Sequence, residues 1–351
     1  MNKQKTLVIL TPGFPANEDD TTCIPSMQIF VRGLKQSKPQ LHVVVISFQY
    51  PFTASTYSWY GVEVIALAGK GRGQLFRLVT WRRVWQALKQ HHSRYKIEGL
   101  LSFWIGEAAF MGNRFAKKYN LPHYTWLLGQ DAKAGNHYVK QIKPEGRSLI
   151  AISDFLAKEF RINYGITPEH VIPTGIDITL FSALPVKRDI DIIGVGSLIP
   201  LKQYGLFINV IKSLSNKFPN IKTVICGKGP EMENLKKQIH KLKLGNNIQL
   251  NGELSHPEVL ALMQQSKILL HTSEYEGYST VLSEALYAGC HVVSLVNAMN
   301  TRPPQHHVPD NAEHLPVIIA DLLSDNNLQH ERVLVYPIQV IAAKIATLFG
   351  H

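Results

Sequence analysis

The chain has few cysteines and comparatively little acid. Cys23, Cys226 and Cys290 are far apart and odd in number among 351 residues. They match neither a metal-site spacing nor a disulfide framework, so the expected compartment is a reducing cytoplasm. Acidic residues number 26 against 37 Lys and Arg, for a formal net charge of +11. From Lys70 to Ile97 there are eight Lys/Arg and no acid. Such an excess favours an anionic partner: nucleic acid, an anionic membrane surface or a phosphorylated small molecule. No apolar run approaches the roughly 20 residues of a membrane span. The N-terminal "MNKQKTLVILTPGFP" lacks a long apolar core and a small-residue cleavage site, so it reads as a first strand and not as a signal peptide. Internal repeats and low-complexity tracts are absent.

Short β-rich runs alternating with helical patterns fill the chain. "TLVIL" (6–10), "HVVVISF" (42–48), "VEVIAL" (62–67), "GLLSF" (99–103), "HYTWLL" (123–128) and "SLIAI" (148–152) read as strands. The pattern restarts with "DIDIIGVGSL" (189–198), "KTVICGKG" (222–229), "NIQLNGEL" (247–254), "KILLHTS" (267–273) and "HVVSLV" (291–296), with helices expected over 204–217, 230–243, 256–265 and 280–288. This alternation argues an α/β class with parallel sheets covered by helices. Two domains are expected, 1–185 and 186–336, joined through the linker "SALPVKRD" (182–189). The apolar face of the last helical pattern (337–350) is expected to dock back on the first domain. In open parallel sheets ligands bind beyond the C-terminal strand ends, so the cleft between two such domains is the default site.

Three loops of the second half can carry chemistry. "GVGSLIPLKQYG" (194–205) places glycines at a strand end and Lys202 as a point charge for phosphate. "CGKGPE" (226–231) has Gly227 and Gly229 at a strand end; alone it is a tight turn with Pro at the first helical position. "SEYEGYSTVLSEALYAG" (273–289) runs from a buried strand into a helix capped by Ser279 or Thr280, and a helix N-terminus attracts anions. Glu276 precedes that helix and Glu284 lies within it. Taken singly, each glutamate reads as a loop or dipole-compensating acid.

Together the three loops resemble, in order and spacing, the C-terminal domain of family 4 glycosyltransferases, the glycosyl transferases group 1. These are retaining enzymes of the GT-B fold, with two Rossmann-like domains whose parallel sheets face an interdomain cleft. The glutamate pair separated by seven residues is that family's signature. "WLLGQD" (126–131), "AISDFLAKEFRINYG" (151–165) and "VIPTGIDITLF" (171–181) are similar to the family's lead-in to the linker. The resemblance implies that Lys202 binds the donor's diphosphate, Glu284 the ribose hydroxyls and Glu276 the donor sugar near the reacting carbon. It further implies backbone amides of Ser279, Thr280 and Val281 at the phosphate, with Ser197, Gly227 and Leu254 completing the donor site and Gly13 approaching the diphosphate. Trp104, Glu107 and Asp131 are the implied acceptor side.

The activity that this resemblance implies is that of a hexosyltransferase-type enzyme using a UDP-, GDP- or ADP-linked sugar, with a glycan or lipid-linked acceptor and neither metal nor other cofactor. "DID" (189–191) begins a strand and is read as structural. The chain departs from the family at three places. Ser197 stands where an arginine is usual, Leu128 where many members carry histidine, and the loop 295–311 has no glycine and is short. The alternative function resting on these departures is a degenerate member that binds nucleotide sugar or a partner without turnover. Arg302 of that loop reads as solvent-facing, the alternative being a phosphate charge, and His306 and His307 read as loop residues and not metal ligands. "LFRLVTWRRVWQALKQHH" (75–92) is expected to be an amphipathic helix with Phe76, Trp81 and Trp85 in the core. The alternative for 70–96 is peripheral contact with anionic lipid at the inner face of the membrane. No nucleic-acid motif accompanies the charge.

Overall fold

The structure, a computed structural model, describes residues 3–73, 75–184 and 186–351. The chain divides into two units: residues up to Gly175 with Ile338–His351, and Ile176–Pro337. In chain order the first unit contains β1 (Lys5–Gly13), α1 (Pro25–Ser37), β2 (His42–Tyr50), β3 (Ser55–Trp59) and β4 (Val62–Ala66). It continues with α2 (Leu75–Arg94), β5 (Lys96–Phe103), α3 (Glu107–Tyr119), β6 (His123–Leu127), α4 (His137–Ile142), β7 (Leu149–Ala151), α5 (Asp154–Tyr164) and β8 (His170–Val171). The second unit contains β9 (Ile190–Val195), α6 (Tyr204–Ser215), β10 (Thr223–Cys226), α7 (Met232–Lys241), β11 (Ile248–Gly252) and α8 (His256–Gln264). After these come β12 (Ser266–His271), α9 (Thr280–Tyr287), β13 (His291–Ser294), β14 (His306–His307) and α10 (Leu315–Ser324). Helix α11 (Ile338–Thr347) returns to the first unit.

The first sheet has the order β3-β4-β2-β1-β5-β6-β7-β8. Only β3 runs antiparallel, as a hairpin strand on β4. Its core strand β1 buries Leu7, Val8, Ile9 and Leu10 completely, as a strand covered on both faces must. The second sheet is parallel throughout, in the order β11-β10-β9-β12-β13-β14. Strand order therefore reverses between β9 and β12, the switch point beyond whose carboxyl strand ends ligands bind in open α/β sheets.

Four points differ from expectation. The division falls at Gly175/Ile176 and not near residue 186, because the segment before the expected linker already packs into the second unit. Phe181 stacks edge-on against Tyr287 at 4.9 Å, and the Ser182 amide donates to Gln264 Oε1 at 3.1 Å. Pro185, at the expected boundary, lies outside the described residues. Strand β3 is hidden in a polar-rich run whose only buried residue is Trp59. His306 and His307 form an edge strand on Val292 and Val293 and are not loop residues. Trp81 and Trp85 pack against the core of the first unit, but Phe76 is exposed.

Helix α11 is held on α1 by a close approach at Gly33. A Cβ there would lie 2.4 Å from Ile338 Cγ1, well inside contact distance. The buried Ile338, Ile341 and Ile345 fill that seam. Gly33→Val is expected to lower stability by about 1–3 kcal/mol through overpacking, against a smaller helix-propensity gain. Urea unfolding measures it, and an unchanged midpoint would show that α11 is loosely seated.

Candidate functional site

Lys202 and Glu276 meet at the switch point of the second sheet. Lys202 ends a 3₁₀ turn (Pro200–Lys202) after β9, and Glu276 lies in the loop after β12. Their side chains form an ion pair, with Nζ on Oε1. The same Oε1 accepts from Ser273 Oγ at 3.0 Å and from His271 Nε2 at 3.2 Å. Because a carboxylate only accepts, His271 carries its proton on Nε2 in this contact. The two loops are also laced through their backbones. Thr272 Oγ1 donates to the Lys202 carbonyl at 2.9 Å and to the Gln203 carbonyl at 3.2 Å, and the Glu274 amide donates to the Leu201 carbonyl at 3.1 Å.

Burial opposes ionisation of Glu276, but the His271 hydrogen bond and the Lys202 charge more than offset it and hold the carboxyl at about 2. It is therefore a carboxylate at neutral pH. Burial drives His271 the other way, below its ordinary value, with the Lys202 charge adding to that effect against the Glu276 hydrogen bond.

Glu284 occupies a second environment. It is buried at the fifth residue of α9, and its Oε1 accepts from His256 Nε2 at 2.8 Å. His256 opens α8 beside a capping box in which the Ser255 amide donates to Glu258. Burial lowers the His256 pKa, yet attraction to Glu284 and the hydrogen bond between them raise it overall. Helix α9 begins after Ser279, whose side chain makes no cap hydrogen bond, and its first turn holds no acid. The positive end of its dipole is thus not offset from within that turn. Glu276, Tyr278, Ser279, Met299 and Tyr336 line a cavity of about 20 Å³ next to that end, room for a water and far too small for a sugar.

Gly227 has a packing reason. A Cβ on it would fall 1.9 Å from the Gly196 carbonyl oxygen, and its φ is +152°. The Gly196 amide donates to the Cys226 carbonyl and the Leu198 amide to the Lys228 carbonyl, so the loops after β9 and β10 touch backbone to backbone. Ser197, between them in sequence, is exposed. Leu254 packs on the core beside α9, while Thr280 and Val281 form the first turn of that helix.

The remaining expected residues belong to the first unit, at C-terminal strand ends. Gly13 ends β1, where a Cβ would meet only ordinary contacts at 3.7 Å or more. Trp104 follows β5 at a φ of +61°, an outlier for a bulky side chain. Glu107 accepts from Gln49 Nε2 at 2.6 Å and pairs with Arg77 at 2.9 Å. Asp131 accepts the amides of Ile105, Leu128 and Gly129 at 3.0, 3.2 and 2.8 Å, while burial raises its pKa. Asp191 of "DID" staples the start of β9, bound by the Lys222 amide and Lys267 Nζ at 2.9 and 2.8 Å. Among the described residues no group of three or more His, Cys, Asp or Glu is arranged to hold a metal ion.

His271, Ser273 and His256 join the site without having been expected there. His271 closes the strand five residues before Glu276, and His256 sits inside the Ser-x-x-Glu capping box. Both positions are legible in the residues, but their pairing with a glutamate depends on tertiary contact.

Two outcomes follow from this geometry. His256 has a raised folded pKa, so its pair contributes stability fully below its ordinary value of 6.5 and loses it as pH rises through the folded value. The melting-point gap between the wild type and His256→Gln is expected to be widest in acid and to narrow toward alkaline pH; a constant gap would mean that the pair does not titrate. Gly227→Ala is expected to cost at least about 1–3 kcal/mol from backbone strain alone, read by urea unfolding.

Comparison with known proteins agrees with this architecture. Residues 177–333 match the model of the family described as glycosyl transferases group 1. One component of the human phosphatidylinositol N-acetylglucosaminyltransferase is 30% identical over 150 residues, which cover 42% of this chain and 31% of that protein. The aligned stretches span less than half the length of the curated relatives. Sucrose-phosphate synthase from Thermosynechococcus elongatus superposes with a TM-score of 0.75 at 17% identity, over 99% of this chain and 98% of that one. Anabaena HepE, solved in complex with UDP-glucose, superposes with a TM-score of 0.67 at 17% identity, over 99% and 97%. The chain thus has two parallel-sheet units in the GT-B fold of these solved structures, and its residues 177–333 match the glycosyl transferases group 1.

Proposed function

We propose that this protein transfers a sugar, with retention of configuration, from a nucleotide-sugar donor to a hydroxyl of a glycan or lipid-linked acceptor. The observation that carries the proposal is the meeting of Lys202 and Glu276 at the switch point of the second sheet, with buried Glu284 on the helix that comes next. A relative acts in phosphatidylinositol N-acetylglucosaminyl transfer and a fold neighbour binds UDP-glucose, which supports a UDP-linked donor for this chain.

In this reading the sugar–diphosphate bond breaks and positive charge builds on the sugar ring while negative charge builds on the diphosphate. Lys202 and the amides of Ser279, Thr280 and Val281 meet the diphosphate, and no protein-held metal is required of them. Glu276, ionised at neutral pH, accepts from sugar hydroxyls and favours the cationic ring. The acceptor oxygen bonds to the anomeric carbon from the face the diphosphate leaves, and its proton passes to the departing phosphate oxygen. Glu284, oriented by His256, accepts from the ribose hydroxyls. Trp104, Glu107 and Asp131 are proposed for the acceptor side, where Glu107 and Asp131 serve through the loops they already staple.

The test is a thermal-shift panel of UDP, GDP, ADP and their sugars on the wild type, Lys202→Ala and Glu284→Ala. A bound nucleotide is expected to raise the wild-type midpoint and to do so much less in either variant. Glu276→Gln is expected to keep nucleotide binding and lose about 10²–10³ in transfer rate. If no nucleotide shifts the wild type at millimolar concentration, the donor reading fails. Binding with neither donor hydrolysis nor transfer would favour a non-catalytic binder. The anomeric configuration of the product, read by NMR, tests retention.

A further inference from the structure

Helix α2 leaves four large apolar side chains in water within its first five residues. Leu75 is 76% exposed, Phe76 59%, Leu78 55% and Val79 48%. The packing of α2 comes from its other side, where Thr80, Val84, Ala87, Leu88 and His91 are buried. At about 100° per residue, Leu75, Leu78, Val79, Arg82 and Lys89 share the outward face. Arg82, Arg83 and Lys89 are exposed there, as are Lys70 and Arg72 just before the helix. No acid lies between residues 70 and 96. Glu107, the acid that reaches this helix from α3, is paired with Arg77. A contiguous apolar patch rimmed by charge of one sign marks a docking surface.

We infer that the N-terminal turns of α2 dock peripherally on an anionic phospholipid bilayer. Leu75, Phe76, Leu78 and Val79 enter the boundary between headgroups and acyl chains, while Lys70, Arg72, Arg82, Arg83 and Lys89 lie on the phosphates. Charge decides the occupant. A second copy of the chain brings another +11, which repels at long range. Nucleic acid offers phosphates, but its bases stack on aromatic side chains, and three of these four, Leu75, Leu78 and Val79, are aliphatic. An anionic bilayer satisfies both the apolar cluster and its cationic rim. Among the described residues no helix is long and apolar enough to cross a membrane, so the contact is one of surface docking. The inference does not depend on the chemistry proposed for the second unit.

Flotation of the full chain with vesicles of phosphatidylcholine, with and without phosphatidylglycerol, tests it. The wild type is expected to float with the anionic vesicles and stay behind with the neutral ones. Each surface cation contributes a factor of about five to partitioning, so Arg82→Glu/Arg83→Glu is expected to cut binding by more than about tenfold. Leu75→Ser/Leu78→Ser/Val79→Ser is expected to lose binding even at low salt. These side chains are exposed, so an unchanged melting midpoint verifies that each variant is folded. A wild type that ignores anionic vesicles, or binds neutral ones equally, overturns the inference, as does either variant floating like the wild type. If the apolar variant instead converts a sedimenting dimer to a monomer with flotation unaltered, the surface belongs to a second copy and the inference falls.

Discussion

A lysine and a glutamate, 18% and 14% exposed, face each other where the second sheet reverses its strand order, and the surrounding loops are built to hold them there. Neither charge would tolerate such burial alone. Together they form a neutral pair, which His271 and Ser273 reinforce by donating to the same carboxylate oxygen. Thr272 fixes the backbone beneath the lysine, and the glycine loops after β9 and β10 press together behind it. The site therefore holds a cation balanced by an anion. Under the proposed function, an arriving diphosphate does not fill an empty positive hole. It competes with a carboxylate for a lysine, and the carboxylate it displaces becomes available to sugar hydroxyls.

The two glutamates of the signature spacing thus live in different electrostatic surroundings. Glu276 sits with an ammonium and a histidine that burial disfavours charging, and Glu284 sits with a histidine whose charge it promotes. Identical side chains eight positions apart acquire separate properties from the strand end and the helix that carry them.

Much of this is legible in the residues. The alternation of apolar runs with amphipathic segments is a local property and marks both sheets. Lys202, Glu276 and Glu284 stand out because loops at strand ends and a helix start have local signatures. His256 and His271 are invisible as partners, since the contacts with Glu284 and Glu276 depend on how α8 meets α9 and how β12 feeds its loop. Strands β3 and β14 escape for other reasons: the edge strand Ser55–Trp59 buries only Trp59, and His306–His307 is two polar residues long and forms no apolar run. Phe76 departs from expectation because helical spacing says which residues share a face but not how far along the helix the core extends.

The return of α11 has a topological consequence. The second unit leaves the first chain segment and rejoins it at neighbouring points: its terminal residues Ile176 and Pro337 are bridged in parallel, with the Ile176 amide donating to the Tyr336 carbonyl at 2.9 Å. In connectivity it is an insertion, a closed loop of chain with a stitched neck. Mechanical tension applied at the two chain ends enters the first unit alone, through β1 and α11. The second unit bears none of that load until α11 has peeled from Gly33.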